Sequence, residues 1–231
     1  MTITLITGAN KGLGYEASRR LMALGHTVYL GARNEERGRA AAQALGARFV
    51  HLDVTDDDSV ARAAERIRDD EGRLDVLVNN AGITGGRVAP EEVGAEQLST
   101  TFDTNVFGVV RVTRAALPLL RMSQNPVIVN VSSGLGSLGV VTDPARMESR
   151  YPSLGYSASK AAVVMLTVQY AKAFPELRVN VVDPGYTATD LNGNSGTQTV
   201  QEGTDAIVRL ATIDRDGPTG SFQDRSGTVP W

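Results

Sequence analysis

The chain has 231 residues, a formal net charge of −3 and 42% hydrophobic residues, which suits one domain with a sizeable core. It has no cysteine, so disulfides, thiolate catalysis and cysteine-bound metals are excluded. Mild acidity gives no support for binding nucleic acid or an anionic membrane. With no apolar run of transmembrane length and a strand beginning at residue 2, the expectation is a cytoplasmic protein.

In chain order, short apolar strands are predicted over 2–7, 27–31, 47–52, 75–78, 126–131, 177–182 and 220–223. Helices are predicted over 12–24, 34–44, 56–70, 97–121, 154–173 and 199–211, with a kink or early stop at Pro118. The alternation predicts a single-domain α/β fold over residues 1–231. Its sheet is doubly wound, with about seven mostly parallel strands and helices on both faces. Three segments without regular pattern, 83–94, 134–153 and 183–198, follow strand ends, where open α/β sheets bind ligands. The last is polar and glycine-rich and suits a lid.

The first strand runs into Gly8-Ala9-Asn10-Lys11-Gly12-Leu13-Gly14 and then a helix. A glycine turn between strand and helix offers backbone N–H groups and a helix N-terminus to a pyrophosphate. By itself such a turn is often only a connector. Later comes Tyr156-Ser157-Ala158-Ser159-Lys160, which puts a tyrosine and a lysine on one helix face. Free tyrosine has a pKa of about 10, and an adjacent ammonium is expected to lower it. The pair could then exchange a proton with a carbonyl or alcohol oxygen, with a serine hydroxyl from Ser132-Ser133 binding the same oxygen. Proton transfer of this kind needs a hydride partner, and the glycine turn supplies a place for one.

Six motifs occur in order: Thr7-Gly8-x-x-x-Gly12-x-Gly14, Asn79-Asn80-Ala81-Gly82, Asn105 within Asn-Val-Phe-Gly, Ser133, Tyr156-x-x-x-Lys160 and Pro184-Gly185. Together they resemble the compact short-chain dehydrogenase/reductase family from Thr2 to about Phe222. The wording of the glycine turn and the closing Gly217–Phe222 segment look most like its carbonyl reductase branch. The resemblance implies catalytic roles for Asn105, Ser133, Tyr156 and Lys160. In that picture Ser132 supports Ser133, Lys160 also holds the nicotinamide ribose, and Asn105 holds a water that links to the lysine. It further implies a cofactor site made from Gly8, Asn10, Lys11, Gly12, Leu13, Gly14, Asp53, Val54, Asn80, Ala81, Gly82, Tyr156, Lys160, Pro184, Gly185, Thr187 and Thr189. Asp53 would meet the adenine amine in that scheme, although it could equally be a helix cap.

Cofactor choice rests on the end of the second strand. Ala32 stands where an NAD site carries an acid, and Arg33 follows it. An arginine there, with Lys11 approaching from the glycine turn, suits a 2′-phosphate and points to NADP(H). His26 and His51 have no metal-ligand spacing and read as structural. The leading expectation is therefore an NADPH-dependent reductase of a ketone or aldehyde, acting on a small-molecule carbonyl or alcohol. A catalytically silent NADP(H) sensor or scaffold is the alternative. A nucleotide-sugar epimerase is a further rival, but such enzymes carry a larger C-terminal substrate domain.

Twenty-two residues separate Ser133 from Tyr156, more than many members of that family place there. The surplus, Thr142 to Pro152, is expected to roof the site together with 183–198. It is also expected to cover the helices bearing Tyr156 and Asn105 and so leave the enzyme mainly monomeric.

Overall fold

The computed structural model describes residues 1–86 and 88–231. Seven parallel strands form one sheet: β1 Thr2–Ile6, β2 His26–Ala32, β3 Arg48–His51, β4 Val76–Asn79, β5 Val127–Val131, β6 Arg178–Val182 and β7 Phe222–Gln223. Their spatial order is β3-β2-β1-β4-β5-β6-β7, and every neighbouring pair is parallel. Order reverses between β1 and β4, which is the doubly wound arrangement expected from the alternation of elements.

Both faces of the sheet are covered, which is why its strands read as continuous apolar runs. Ile6, Leu30, Val78 and Val129 meet Ala17 and Leu21 of α1 (Gly12–Ala23) and Ile207 and Leu210 of α8 (Val200–Ala211). On the other face Ile3, Leu5, Leu77 and Ile128 meet Ile67 of α3 (Asp57–Glu71) and Val112 and Leu120 of α5 (Gly108–Leu120). Each fully buried aliphatic side chain is worth about 1.5–3 kcal/mol against exposure.

Local chemistry sets the helix ends. Asn34 accepts from the Arg37 amide to start α2 (Glu35–Leu45), and Gly46 ends it at φ +75°. Asp56 caps α3 by accepting from the Asp58 and Ser59 amides, so the cap there is Asp56 and not Asp53. Thr199 and Glu202 form a reciprocal capping box on α8.

The helix expected over 97–121 is two helices. α4 (Ala95–Phe102) and α5 are joined by a single wide turn, Asp103–Phe107, that carries Asn105. Pro118 lies in the last turn of α5, which continues to Leu120, so the proline does not stop it early. The segment after β5 holds a tight turn at Gly134–Gly136, the four-residue α6 (Leu138–Val141) and another tight turn at Met147–Arg150. The twenty-residue α7 (Leu154–Ala173) follows.

A buried polar ladder crosses the sheet centre. Asn79 Nδ2 donates to Asn130 Oδ1 (2.8 Å) and Thr113 Oγ1 (3.2 Å), and Asn130 Nδ2 donates to Thr167 Oγ1 (2.9 Å). Asn79 and Asn130 are also direct partners in the β4–β5 register.

Candidate active site

A groove of about 860 Å³ runs across the carboxyl ends of the strands at the point where their order reverses. Asn10, Lys11, Gly12 and Leu13 line one end; Tyr156 and Lys160 line the other.

The first end is made of backbone. Gly8 and Gly12 sit at φ +62° and +57°, a region that favours glycine. A Cβ on Gly8 would come within 2.9 Å of Ala81 Cα, and one on Gly14 within 2.6 Å of Asn80 Nδ2. Asn80 Nδ2 donates to the carbonyls of Thr7 (2.8 Å) and Gly8 (3.1 Å). Thr7 Oγ1 in turn accepts from the amides of Asn80 and Ala81. The Asn-Asn-Ala-Gly segment is thus laced to the glycine turn, and Gly14 lies beneath it. Glycines bare the main chain at the start of α1 between the side chains of Asn10, Lys11 and Leu13, a cradle that fits a pyrophosphate.

Arg33, Asp53 and Val54 line the adjoining flank, and Asn80, Ala81 and Gly82 the floor. Asp53 Oδ1 accepts from the Thr55 amide and hydroxyl. Lys11 Nζ pairs with Asp190 Oδ2 at 2.9 Å, linking the glycine turn to the 183–198 segment. Both partners are well exposed, so solvent screens the pair and it adds little to stability. Pro184 and Thr189 also line the groove. Thr187 does not: it is buried, with its hydroxyl donating to the Pro184 carbonyl, which corrects the expectation that it touches a ligand. Gly185, at φ +69°, is packed under Gln198.

At the other end, Ser133 stands beside Tyr156, near enough to favour its phenolate, while its Oγ accepts from the Leu135 amide (3.2 Å). Ser132 is buried and donates to the Lys160 carbonyl (2.9 Å), a supporting contact. Lys160 is buried, its Nζ donating to the Val131 carbonyl (2.8 Å) at 5.6 Å from the Tyr156 ring centre. The expected lowering of the tyrosine pKa is not found. Burial and then the charge of Asp183 push Tyr156 up to about 12, with Ser133 opposing, while burial pushes Lys160 down to about 8. Burial is the leading cause for both groups, and it applies most fully to Lys160, since Tyr156 is half-buried and opens onto the groove.

Asn105 lies close by, with its amide fully engaged. Its Oδ1 accepts from the Ile83 amide (2.8 Å), and its Nδ2 donates to the Ile83 carbonyl (2.9 Å) and Ser159 Oγ (3.0 Å). A Cβ on Gly82 would just reach Asn105 Oδ1 at 3.4 Å and Lys160 Nζ at 3.5 Å, so Gly82 lies between the two side chains and leaves a methyl-sized space there.

Two acids that sequence reasoning passed over adjoin this end. Asp183, directly after β6, is 5% exposed. Glu148 reaches in from the turn Met147–Arg150. The only signal for Asp183 was its place before Pro184-Gly185; nothing in the sequence placed Glu148.

Within the segment Thr142 to Pro152, the turn Met147–Arg150 packs on α6, and α6 is fastened to the C-terminal residues by the Gly139 amide donating to the Trp231 carbonyl. Phe107, Leu154 and Met165 remain exposed, so the steric ground for a monomer is absent. His26 Nδ1 is hydrogen-bonded to Thr4, and His51 Nε2 to the Arg33 carbonyl. Among the described residues there is no cluster of metal-ligating side chains, and no helix is long and apolar enough to cross a membrane.

The family model for short chain dehydrogenases matches residues 2–200. This chain is a short-chain dehydrogenase. A (+)-neomenthol dehydrogenase of Capsicum annuum is 30% identical, with 94% of each chain covered. A salutaridine reductase of Papaver bracteatum is 32% identical, with 98% of this chain and 95% of the relative covered. Both alignments run longer than this chain, so these relatives carry several dozen residues with no counterpart here. Among solved structures, the salutaridine reductase of Papaver somniferum superposes with a TM-score of 0.85 at 31% identity, covering 97% of this chain and all of the other. An NADPH-bound carbonyl reductase from chicken fatty liver gives 0.87 at 25% identity, with both chains fully covered. The short-chain dehydrogenase described here is accordingly an oxidoreductase.

Proposed function

We propose that this oxidoreductase reduces a ketone or aldehyde to an alcohol, reversibly, with NADPH as the hydride donor. The observation that carries the reading is one continuous groove, with the glycine turn at one end and Tyr156 and Lys160 at the other, Ser133 adjoining Tyr156. When bound, the nicotinamide supplies the hydride that reaches the carbonyl carbon. Tyr156 gives the proton to the carbonyl oxygen, and its raised pKa keeps that proton in place across the neutral range. Ser133 orients the same oxygen. Lys160, fixed by the Val131 carbonyl, holds the nicotinamide ribose and restores the tyrosine proton. Asn105, held by the Ile83 main chain and Ser159, completes the relay toward Lys160.

NADPH is preferred over NADH through Arg33, which lines the groove, and Lys11 beside it. Arg37, whose charge reaches Asp190, adds to the positive field there. The carbonyl reductase solved with NADPH supports this choice. The test is NADPH consumption across a panel of ketones and aldehydes, followed by absorbance. Substrate-dependent oxidation that disappears in Tyr156→Phe is expected. NADPH binding without oxidation of any carbonyl would sink the reading and leave a nucleotide-binding protein.

A further inference from the structure

The segment after β6 approaches the glycine turn at two adjacent residues. Thr189 Cγ2 stands 3.6 Å from the point a Cβ on Gly12 would occupy. Next to it, Asp190 Oδ2 holds Lys11 Nζ at 2.9 Å. Lys11, Arg33, Thr189, Asp190 and Asn194 all line the groove. The ion pair therefore stands in the wall of the nucleotide end and not on a remote surface. Asp190 is fixed from its own side as well. It opens the tight turn Asp190–Asn192, in which Asn192 Oδ1 accepts from the Thr189 amide and Asn192 Nδ2 donates to the Thr187 carbonyl. The Lys11 ammonium, with Asn194 and the charge of Arg37 adding to it, holds the Asp190 carboxyl below its ordinary range.

Lys11 is one of the two cations assigned above to the 2′-phosphate, and it is already engaged. A phosphate monoester carries a charge of about −1.5 to −2 at neutral pH. Drawn to the Lys11 ammonium, it would stand beside the Asp190 carboxylate too, and the two anions repel. One of them must give up the lysine. NADH has a hydroxyl at that position and makes no claim on it. Arg37 lies within range of the Asp190 charge, so the acid keeps a cation nearby when Lys11 leaves.

We propose that Asp190 is a specificity-determining residue that works against the 2′-phosphate: it occupies Lys11 in the free protein, so NADPH must take the lysine from it while NADH need not. This rests on the NADPH reading above and sharpens it, because the preference is then smaller than the cations of the site could give. The same exchange unties the 183–198 segment from the glycine turn at one of its two contacts. The presence of the phosphate is thereby passed to the segment that also carries Pro184 of the groove wall.

Adenosine 2′,5′-bisphosphate and adenosine 5′-monophosphate carry the same difference without the nicotinamide, and both can be titrated calorimetrically at low salt, where exposed charges are least screened. Wild type should favour the bisphosphate. Asp190→Asn should tighten the bisphosphate by about threefold, the size set by release of an exposed ion pair, and leave the monophosphate unchanged. Lys11→Ala should cost little bisphosphate affinity in wild type and about threefold in the Asp190→Asn background, because only there is the lysine free. An unchanged bisphosphate affinity in Asp190→Asn overturns the proposal. So does an equal gain for both nucleotides, which would report a loosened segment. Equal costs of Lys11→Ala in the two backgrounds overturn it as well, since the acid would then act at a distance and not by holding the lysine. Equal binding of the two nucleotides by wild type would instead refute the NADPH preference. Asp190→Asn then decides alone: a preference for the bisphosphate that appears in the variant supports the proposal, and its absence overturns it.

Discussion

At the glycine end of the groove what matters is the room the main chain leaves; at the tyrosine end it is the functional groups of side chains. Gly8, Gly12 and Gly14 work by having nothing beyond Cα, and their neighbours Thr7 and Asn80 bond to main-chain groups. Tyr156, Ser133, Lys160 and Asp183 work through their functional groups, each altered by burial or by the next. The first end is fixed by shape and tolerates no added atom at Gly8 or Gly14. The second is fixed by electrostatics and should tolerate near-isosteric changes structurally while losing chemistry.

The largest expected effect separates the two directly. Tyr156→Phe removes one hydroxyl and should cost roughly 10²–10⁴ in kcat. Cofactor affinity, read by fluorescence titration, should stay within a factor of about two, since a variant lacking one hydroxyl leaves ordinary surface contacts unchanged. A variant with near-normal kcat would remove the basis for assigning proton transfer to Tyr156.

Next comes Lys160, where function opposes stability. Burial holds its pKa at about 8 against an ordinary 10.5. As pH falls from 10.5 to 8, the unfolded chain takes up the proton before the native state does. The native state loses stability over that window and stays penalised below it, by of order 3 kcal/mol. Lys160→Met lacks the titration. Urea unfolding at pH 10 and pH 7 should show its stability relative to wild type rising toward pH 7, while activity is lost at both. Parallel changes in the two proteins would mean Lys160 is solvated in the native state.

The nucleotide flank should show a smaller effect. NADPH should bind more tightly than NADH by about 1.5–3 kcal/mol, or roughly 10- to 150-fold, most of it through Arg33. Ala32→Asp with Arg33→Ser should shift preference toward NADH, whereas Lys11→Ala, already paired with Asp190, should cost little. Equal dissociation constants for the two cofactors in wild type would refute the assignment.

Gly14→Ala sharpens the other half of the comparison. The new methyl would sit 2.6 Å from Asn80 Nδ2 and 2.9 Å from the Gly8 carbonyl oxygen. Overpacking of this kind costs about 1–3 kcal/mol and should weaken cofactor binding at the same time. Gly25→Ala, at φ +87° with nothing within 4 Å, should cost about 1 kcal/mol of backbone strain and leave cofactor affinity alone. Thermal unfolding combined with NADPH titration of both variants checks this. If both lose affinity equally, the cradle is not the site of binding.

Legibility in the sequence followed the same division. The strands were readable because a sheet buried on both faces leaves unbroken apolar runs, and the glycine turn because spacing alone describes it. Tyr156 and Lys160 were readable because four residues on a helix is one face. The direction of the tyrosine shift was not, since it depends on burial and on Asp183, brought in from the end of a different strand. The break at Asp103–Phe107 was hidden inside a continuous helical pattern. Glu148 was hidden because a segment without periodicity gives no bearing for its side chains. The face bearing Phe107 and Met165 was expected to be covered for the same reason: segment length was read where direction was needed.

The ladder from Asn79 through Asn130 to Thr167 bears on how the sheet finds its pairing. Apolar strands in a parallel sheet slide past one another with little to choose between alignments, because one valine resembles the next. Asn79 and Asn130 meet only when Val76 is opposite Val127. A slip of one residue would strand two buried amides among aliphatic side chains, at about 1–3 kcal/mol for each unpaired group. The ladder therefore acts as a checksum on assembly, penalising wrong alignments more than it rewards the right one.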